Sequence, residues 1–114
     1  MQLNLLVIRT RNPKRLAEFY SLFGLDFTYH RHGNSPMHYW ATIGGVLLEI
    51  YTLSKNQQAE DLSLRLGFKL DDFEGTISRL RKAEVVFDTE PIETEFGFRA
   101  VVFDPDGRKI ELYK

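Results

Sequence analysis

One pattern occurs twice in this chain. Gly45-Val46-Leu47-Leu48-Glu49-Ile50-Tyr51 is answered by Gly107-Arg108-Lys109-Ile110-Glu111-Leu112-Tyr113, 62 positions later. Upstream, Asn12 through Phe27 is answered by Asp72 through Phe87 at a spacing of 60. Each stretch has a capping residue, a helix-like segment and then a strand beginning before an aromatic. A duplicated half of about 55–60 residues limits the fold to two packed copies of one unit, with functional groups at equivalent places in both. Glu49 and Glu111 are such a pair.

Within the first copy, Leu3 to Thr10 is rich in branched apolar residues and reads as a strand buried on both faces. Asn12 caps the next segment and Pro13 suits its first turn. Leu16, Phe19, Tyr20 and Phe23 form one apolar helical stripe, which Gly24 ends. Strands are expected over Leu25–His32, Met37–Ile43 and Val46–Leu53, with turns at Gly33-Asn34-Ser35-Pro36 and Gly44-Gly45. Ser54 to Asp61 is polar and reads as a solvated linker.

In the second copy, Leu62, Leu64, Leu66, Phe68 and Leu70 alternate with polar or small residues, a strand with one apolar face. Asp71 and Asp72 are both placed to cap a helix, whose clearest inward residues are Ile77 and Leu80. Strands follow at Val85–Thr89, Phe96–Phe103 and Lys109–Tyr113, the last two joined by the turn Asp104-Pro105-Asp106-Gly107. The expected architecture is α+β: two βαβββ modules in a single domain over residues 1–114, with module 1 at 1–53, a linker at 54–61 and module 2 at 62–114.

Alternation assigns faces. Val46, Leu48 and Ile50 should meet the helix, leaving Leu47, Glu49 and Tyr51 on the opposite side. In the last strand Ile110 and Leu112 face the helix, while Lys109, Glu111 and Tyr113 point away. Arg65 lies opposite the leucine face of its strand. Both glutamates and Arg65 are therefore expected on one cup side, where a bidentate arginine is the natural neutraliser of a desolvated carboxylate. His38 shares a face with Trp40 and Thr42. Lining the cup, His38 would offer a nitrogen ligand or a proton shuttle, and Trp40 a wall on which a planar ligand stacks. The alternative for His38 is a hydrogen-bonded sheet residue. His30 and His32, two apart, have metal-binding spacing but read more simply as an exposed strand end. Phe96 and Phe98 read as core.

Bulk properties exclude several classes. With 15 basic and 16 acidic residues among 114, the chain has no excess charge with which to neutralise phosphates, so nucleic acid is not an expected partner. There is no cysteine, which rules out disulfides, thiolate metal sites and a cysteine nucleophile. The apolar run Leu5–Ile8 is too short for a secretory leader, and no window matches a membrane span, so a cytoplasmic location and no membrane partner are expected. A glycine-rich phosphate loop and a serine nucleophile elbow are absent from the sequence.

Asn12-Pro13 with Phe19-Tyr20-Ser21-Leu22-Phe23-Gly24-Leu25, Leu48-Glu49-Ile50-Tyr51, Phe68-Lys69-Leu70-Asp71-Asp72, and Asp104-Pro105-Asp106-Gly107 before Ile110-Glu111-Leu112 occur in this order. Together they resemble the vicinal-oxygen-chelate superfamily: glyoxalase I, bleomycin-resistance proteins and extradiol dioxygenases. The resemblance covers essentially the whole chain. It implies homodimers and a small-molecule ligand held in the cup between modules. In metal-dependent members a His or Gln on the first strand and a Glu on the fourth strand of each half bind one divalent ion. By position, Glu49 and Glu111 fill the carboxylate places, and Leu5 and Arg65 fall where the nitrogen or amide ligands should be. Leucine has no donor atom and a guanidinium cannot ligate a cation. Two functions follow as expectations. One is a small-molecule binding protein without the complete metal site, its cup lined by Arg65, Trp40, Tyr51, Leu5 and Lys109. The other is a divalent-metal-dependent lyase, isomerase or dioxygenase-like enzyme in which Glu49 and Glu111 are ligands or base and His38 a substitute ligand. The cofactor is accordingly either none or a divalent metal. The substrate and any swapping of modules between subunits are not legible at this level.

Overall fold

Asn12 turns the chain from its first strand into its first helix. In the computed structural model, which describes residues 1–114, β1 (Leu5–Thr10) runs into α1 (Pro13–Ser21). The Asn12 side chain accepts from the Arg15 backbone N–H at 3.1 Å, satisfying one of the orphan donors of the first turn. Leu16, Ala17, Phe19 and Tyr20 are buried, and α1 packs on β1, β3 (His38–Ile43) and β4 (Val46–Thr52). Phe19, Tyr20 and Phe23 meet edge to face, with ring centroids 5.1–5.7 Å apart. Each fully buried large apolar side chain contributes about 1.5–3 kcal/mol, so this one helical stripe is a substantial part of the core.

Completed by β2 (Thr28–His30), the first sheet has the order β1-β4-β3-β2. β1 and β4 are parallel and the other neighbours antiparallel. Val7 and Trp40 are the strand neighbours of Glu49 on its two sides. Ile8, Thr10, Ala41, Leu48 and Ile50 are buried on the helix side, as alternation requires.

The second half repeats this plan. β5 (Leu66–Lys69), α2 (Phe73–Lys82), β6 (Phe87–Thr94), β7 (Gly97–Phe103) and β8 (Lys109–Tyr113) give a sheet of order β5-β8-β7-β6. Asp72, and not Asp71, caps α2, accepting from the Gly75 N–H at 3.0 Å. Gly67 and Val101 flank Glu111 as Val7 and Trp40 flank Glu49. The chain thus forms two compact units, Met1–Asp61 and Leu62–Lys114, each with a four-stranded sheet and one helix.

Several local expectations change. β1 is an edge strand with one buried face, not two: Leu5 and Val7 are 49 % and 37 % exposed while Ile8 and Thr10 are buried. β2 keeps only the three residues that find partners on β3. β5 begins at Leu66 rather than Leu62, because only Leu66–Lys69 lie alongside β8. β6 runs on to Thr94 through Pro91, which an edge strand with register shifts tolerates. Phe96 is 78 % exposed and not core; Phe98 packs against Phe73 with centroids 5.6 Å apart. The segment after β4 is not simply solvated, since the Glu60 carboxylate binds both the backbone N–H and the guanidinium of Arg11.

Candidate functional site

β4 places Glu49 on the sheet face turned away from α1, and β3 places His38 and Trp40 on that same face. Glu49 Oε2 lies 2.8 Å from His38 Nε2 and 3.2 Å from His32 Nδ1, and these two ring nitrogens are 3.2 Å apart. His38 is fully buried, and the Glu49 side chain is 10 % exposed. The other ring nitrogen of His38, Nδ1, is 2.9 Å from the Pro36 carbonyl oxygen. The Tyr51 ring stacks on the His38 ring at 4.2 Å and 12°, with its hydroxyl 3.4 Å from His38 Nε2. Arg9 lies over the Tyr51 ring, its guanidinium 5.0 Å from the ring centroid and donating to the Thr52 carbonyl at 3.0 Å. His32, His38 and Glu49 thus offer three metal-ligating atoms within 4.8 Å of one another.

The matching carboxylate in the second unit has a different environment. Glu111 Oε2 accepts from Arg65 Nε at 2.8 Å, while Oε1 accepts from the Tyr113 hydroxyl at 2.8 Å and from Arg99 Nη1. The Tyr113 hydroxyl bond, with the Arg65 and Arg99 guanidinium groups, holds the Glu111 carboxyl below the usual carboxylate range against the opposing effect of burial. In return, the Glu111 carboxylate holds the Tyr113 phenol above its ordinary value. Both oxygens of Glu111 are committed.

The remaining candidates scatter. Leu5 lies on the face of Glu49, two residues along β1 from Val7, and is half exposed. Lys109 is exposed, with Asp88 3.8 Å away. Trp40 is half-buried and its indole Nε1 is buried without a hydrogen-bond partner. His30 touches His32 ring to ring at 5.5 Å and stays outside the cluster. A surface hollow of about 280 Å³ lies beside α1, lined by residues including Lys14, Glu18, Asp26 and Tyr39. It shares no residue with the His–Glu cluster.

Sequence reasoning gives His32 metal-binding spacing but prefers an exposed strand end, and it misses Arg99. His32 lies beyond the end of β2, so alternation does not govern it. The turn hydrogen bonds between His32 and Ser35 fold it back towards Glu49. Arg99 stands opposite Tyr113 in the β7–β8 ladder, and only that register brings it to Glu111.

The model of the Glyoxalase/Bleomycin resistance protein/Dioxygenase superfamily matches residues 2–112. The chain belongs to this superfamily. No curated protein matches the sequence. Among solved structures, the chain is similar to the oxidase ChaP-H2 (22 % identity, TM-score 0.80, covering 98 % of this chain and 91 % of that one). It is also similar to TnmS3, an antibiotic binding protein from Streptomyces sp. CB03234 (22 %, 0.78, 99 % and 94 %). A glyoxalase/bleomycin resistance protein from the same organism matches at 22 % identity and a TM-score of 0.75, over 99 % of this chain and all of that one. At this identity the likeness is one of fold.

The superfamily's four-ligand metal set does not fit the residues here. Leu5 has no donor, Arg65 is a cation bound to Glu111, and Glu111 has no oxygen free of a donor. No helix is long and apolar enough to cross a membrane.

Proposed function

We propose that the chain binds a small organic molecule without the four-ligand metal centre of metal-dependent superfamily members. The observation that carries this reading is the commitment of Glu111 to Arg65, Arg99 and Tyr113. A carboxylate held by three donors is a poor base and a poor ligand, because each donor must first be displaced. The lyase, isomerase or dioxygenase-like alternative needs Glu49 and Glu111 to act alike, and their surroundings are unlike.

The face of the first sheet that turns away from α1 suits a ligand. Leu5 and Val7 supply exposed apolar floor, and half-buried Trp40 supplies an aromatic wall. The ligand class this favours is planar and aromatic. The description of TnmS3 as an antibiotic binding protein supports the same class of role. A homodimeric state and a cytoplasmic location go with this reading and are checked by sedimentation velocity and cell fractionation.

Trp40 is the only tryptophan, so tryptophan fluorescence, excited selectively over the tyrosines, reports this face alone. Titration with a panel of planar aromatic carboxylates and quinones should give saturable quenching at one ligand per chain, with a rise in melting temperature. No saturable quenching by any of them, or a lyase activity abolished in Glu111→Gln, would overturn the proposal.

A further inference from the structure

We infer that His32, His38 and Glu49 form a binding site for one divalent transition-metal ion, built within the first unit and independent of Glu111. The inference stands apart from the ligand reading above, since it rests on the geometry of three side chains.

The hydrogen-bond arithmetic of His38 comes first. A carbonyl oxygen only accepts, so His38 Nδ1, 2.9 Å from the Pro36 oxygen, carries a proton. In the neutral ring Nε2 is then a bare lone pair. That lone pair points at a carboxylate oxygen 2.8 Å away and at His32 Nδ1, 3.2 Å away. Three atoms of ligating type converge where His38 is fully buried and Glu49 nearly so, with His32 on the solvent side. A cation at the centre of such a convergence would engage all three atoms at once. A backbone carbonyl fixing the non-ligating nitrogen is also the outer-shell arrangement that metal-bound histidines use to set tautomer and ring orientation. The Tyr51 ring stacked on His38 holds that ring in place.

Distances then favour a metal ion over an added proton. A proton joins two atoms, whereas all three edges of this triangle are short: 2.8, 3.2 and 3.2 Å. Ligands about 2.1 Å from an ion stand roughly 3.0 Å apart at octahedral cis positions and roughly 3.4 Å apart in a tetrahedron. The observed edges match one face of such a polyhedron. The His32 side chain is 45 % exposed and gives the ion a way in. Two imidazoles and one carboxylate select Zn, Ni, Co or Fe(II) over Mg or Ca, which prefer all-oxygen sites. Neither histidine lies on the first strand of a module, so the site is not the superfamily's arrangement displaced by a residue or two.

The test uses the full chain, stripped with chelator and exchanged into chelator-free buffer. Titration with zinc chloride and nickel chloride by calorimetry should give one ion per chain, and cobalt chloride should give visible d–d absorption. His32→Ala, at an exposed position that leaves the fold intact, should weaken binding by more than about 100-fold, beyond the roughly 10–100-fold cost of losing an outer-shell partner. Glu49→Gln should do the same, and Glu111→Gln should leave affinity unchanged. Imidazole nitrogen chemical shifts provide a second readout, moving at His32 and His38 when zinc is added. Absence of stoichiometric binding by all three ions, with histidine shifts that respond to acid but not to zinc, would show a proton-bridged cluster and overturn the proposal. Equal affinity in wild type and His32→Ala would overturn it too.

Discussion

Glu111 takes donors from one hydroxyl and two guanidinium groups on its two oxygens, and that sets its response to pH. Its folded-state carboxyl lies below the ordinary value, first through the Tyr113 hydroxyl and then through Arg65 and Arg99. A depressed carboxyl stabilises the fold fully above the unfolded value of about 4.3, and that contribution fades as pH falls through the folded value. Arg65 is half exposed, so solvent screening reduces the effect. Glu111→Gln should cost about 1–2 kcal/mol at pH 7 and progressively less below pH about 4. Urea midpoints at pH 7 and pH 3.5 measure this, and an equal loss at both would contradict it. The Arg65–Glu111 pairing was expected from the sequence and the two do meet, although Arg65 precedes β5 and strand alternation does not itself place it. The Arg99 contact was not, because it depends on which residue of β7 lies opposite Tyr113, a register that no local pattern encodes.

At the scale of elements, the two helices begin alike. Asn12 and Asp72 have nearly the same backbone angles, φ −130° and −128°, and each side chain accepts from the N–H three residues on. Alanine at either position should lower stability by about 1 kcal/mol in chemical denaturation. Gly75 adds a sharper test. Glycine to alanine within a helix normally gains up to about 1 kcal/mol. Here a Cβ at Gly75 would stand 2.0 Å from the Asp72 carboxylate, so the methyl displaces the cap. Gly75→Ala should gain nothing in the wild type and recover its gain in an Asp72→Ala background, a non-additivity that a double-mutant cycle reads. The β7–β8 turn carries a second device. Asp104 Oδ1 accepts from the backbone N–H of Asp106, Gly107 and Arg108, and the Arg108 guanidinium, 1 % exposed, binds Asp104 and Asp106. Arg108→Ala leaves two desolvated carboxylates side by side and should cost about 3–5 kcal/mol by equilibrium unfolding. Proline and glycine announced this turn in the sequence; the buried ion pair did not show there, because arginine at a turn ordinarily reaches solvent.

For the molecule as a whole, the near balance of charge gives a pI of about 6.3. Self-repulsion is weakest there, so light scattering at high concentration should show association peaking near pH 6.3 and receding by pH 8. The internal repeat, the order of elements and the faces of β4 and β8 were determined by the sequence alone. Caps, turns and two-residue alternation act over a few neighbouring residues, so their outcome is written locally. Tertiary structure decided what the two equivalent glutamates became. Glu111 meets an arginine 46 positions away and is neutralised, whereas Glu49 meets a buried histidine from β3 and a second from the turn beyond β2. Those partners are chosen by strand register and by a loop's return path, and both are settled only when distant segments pack.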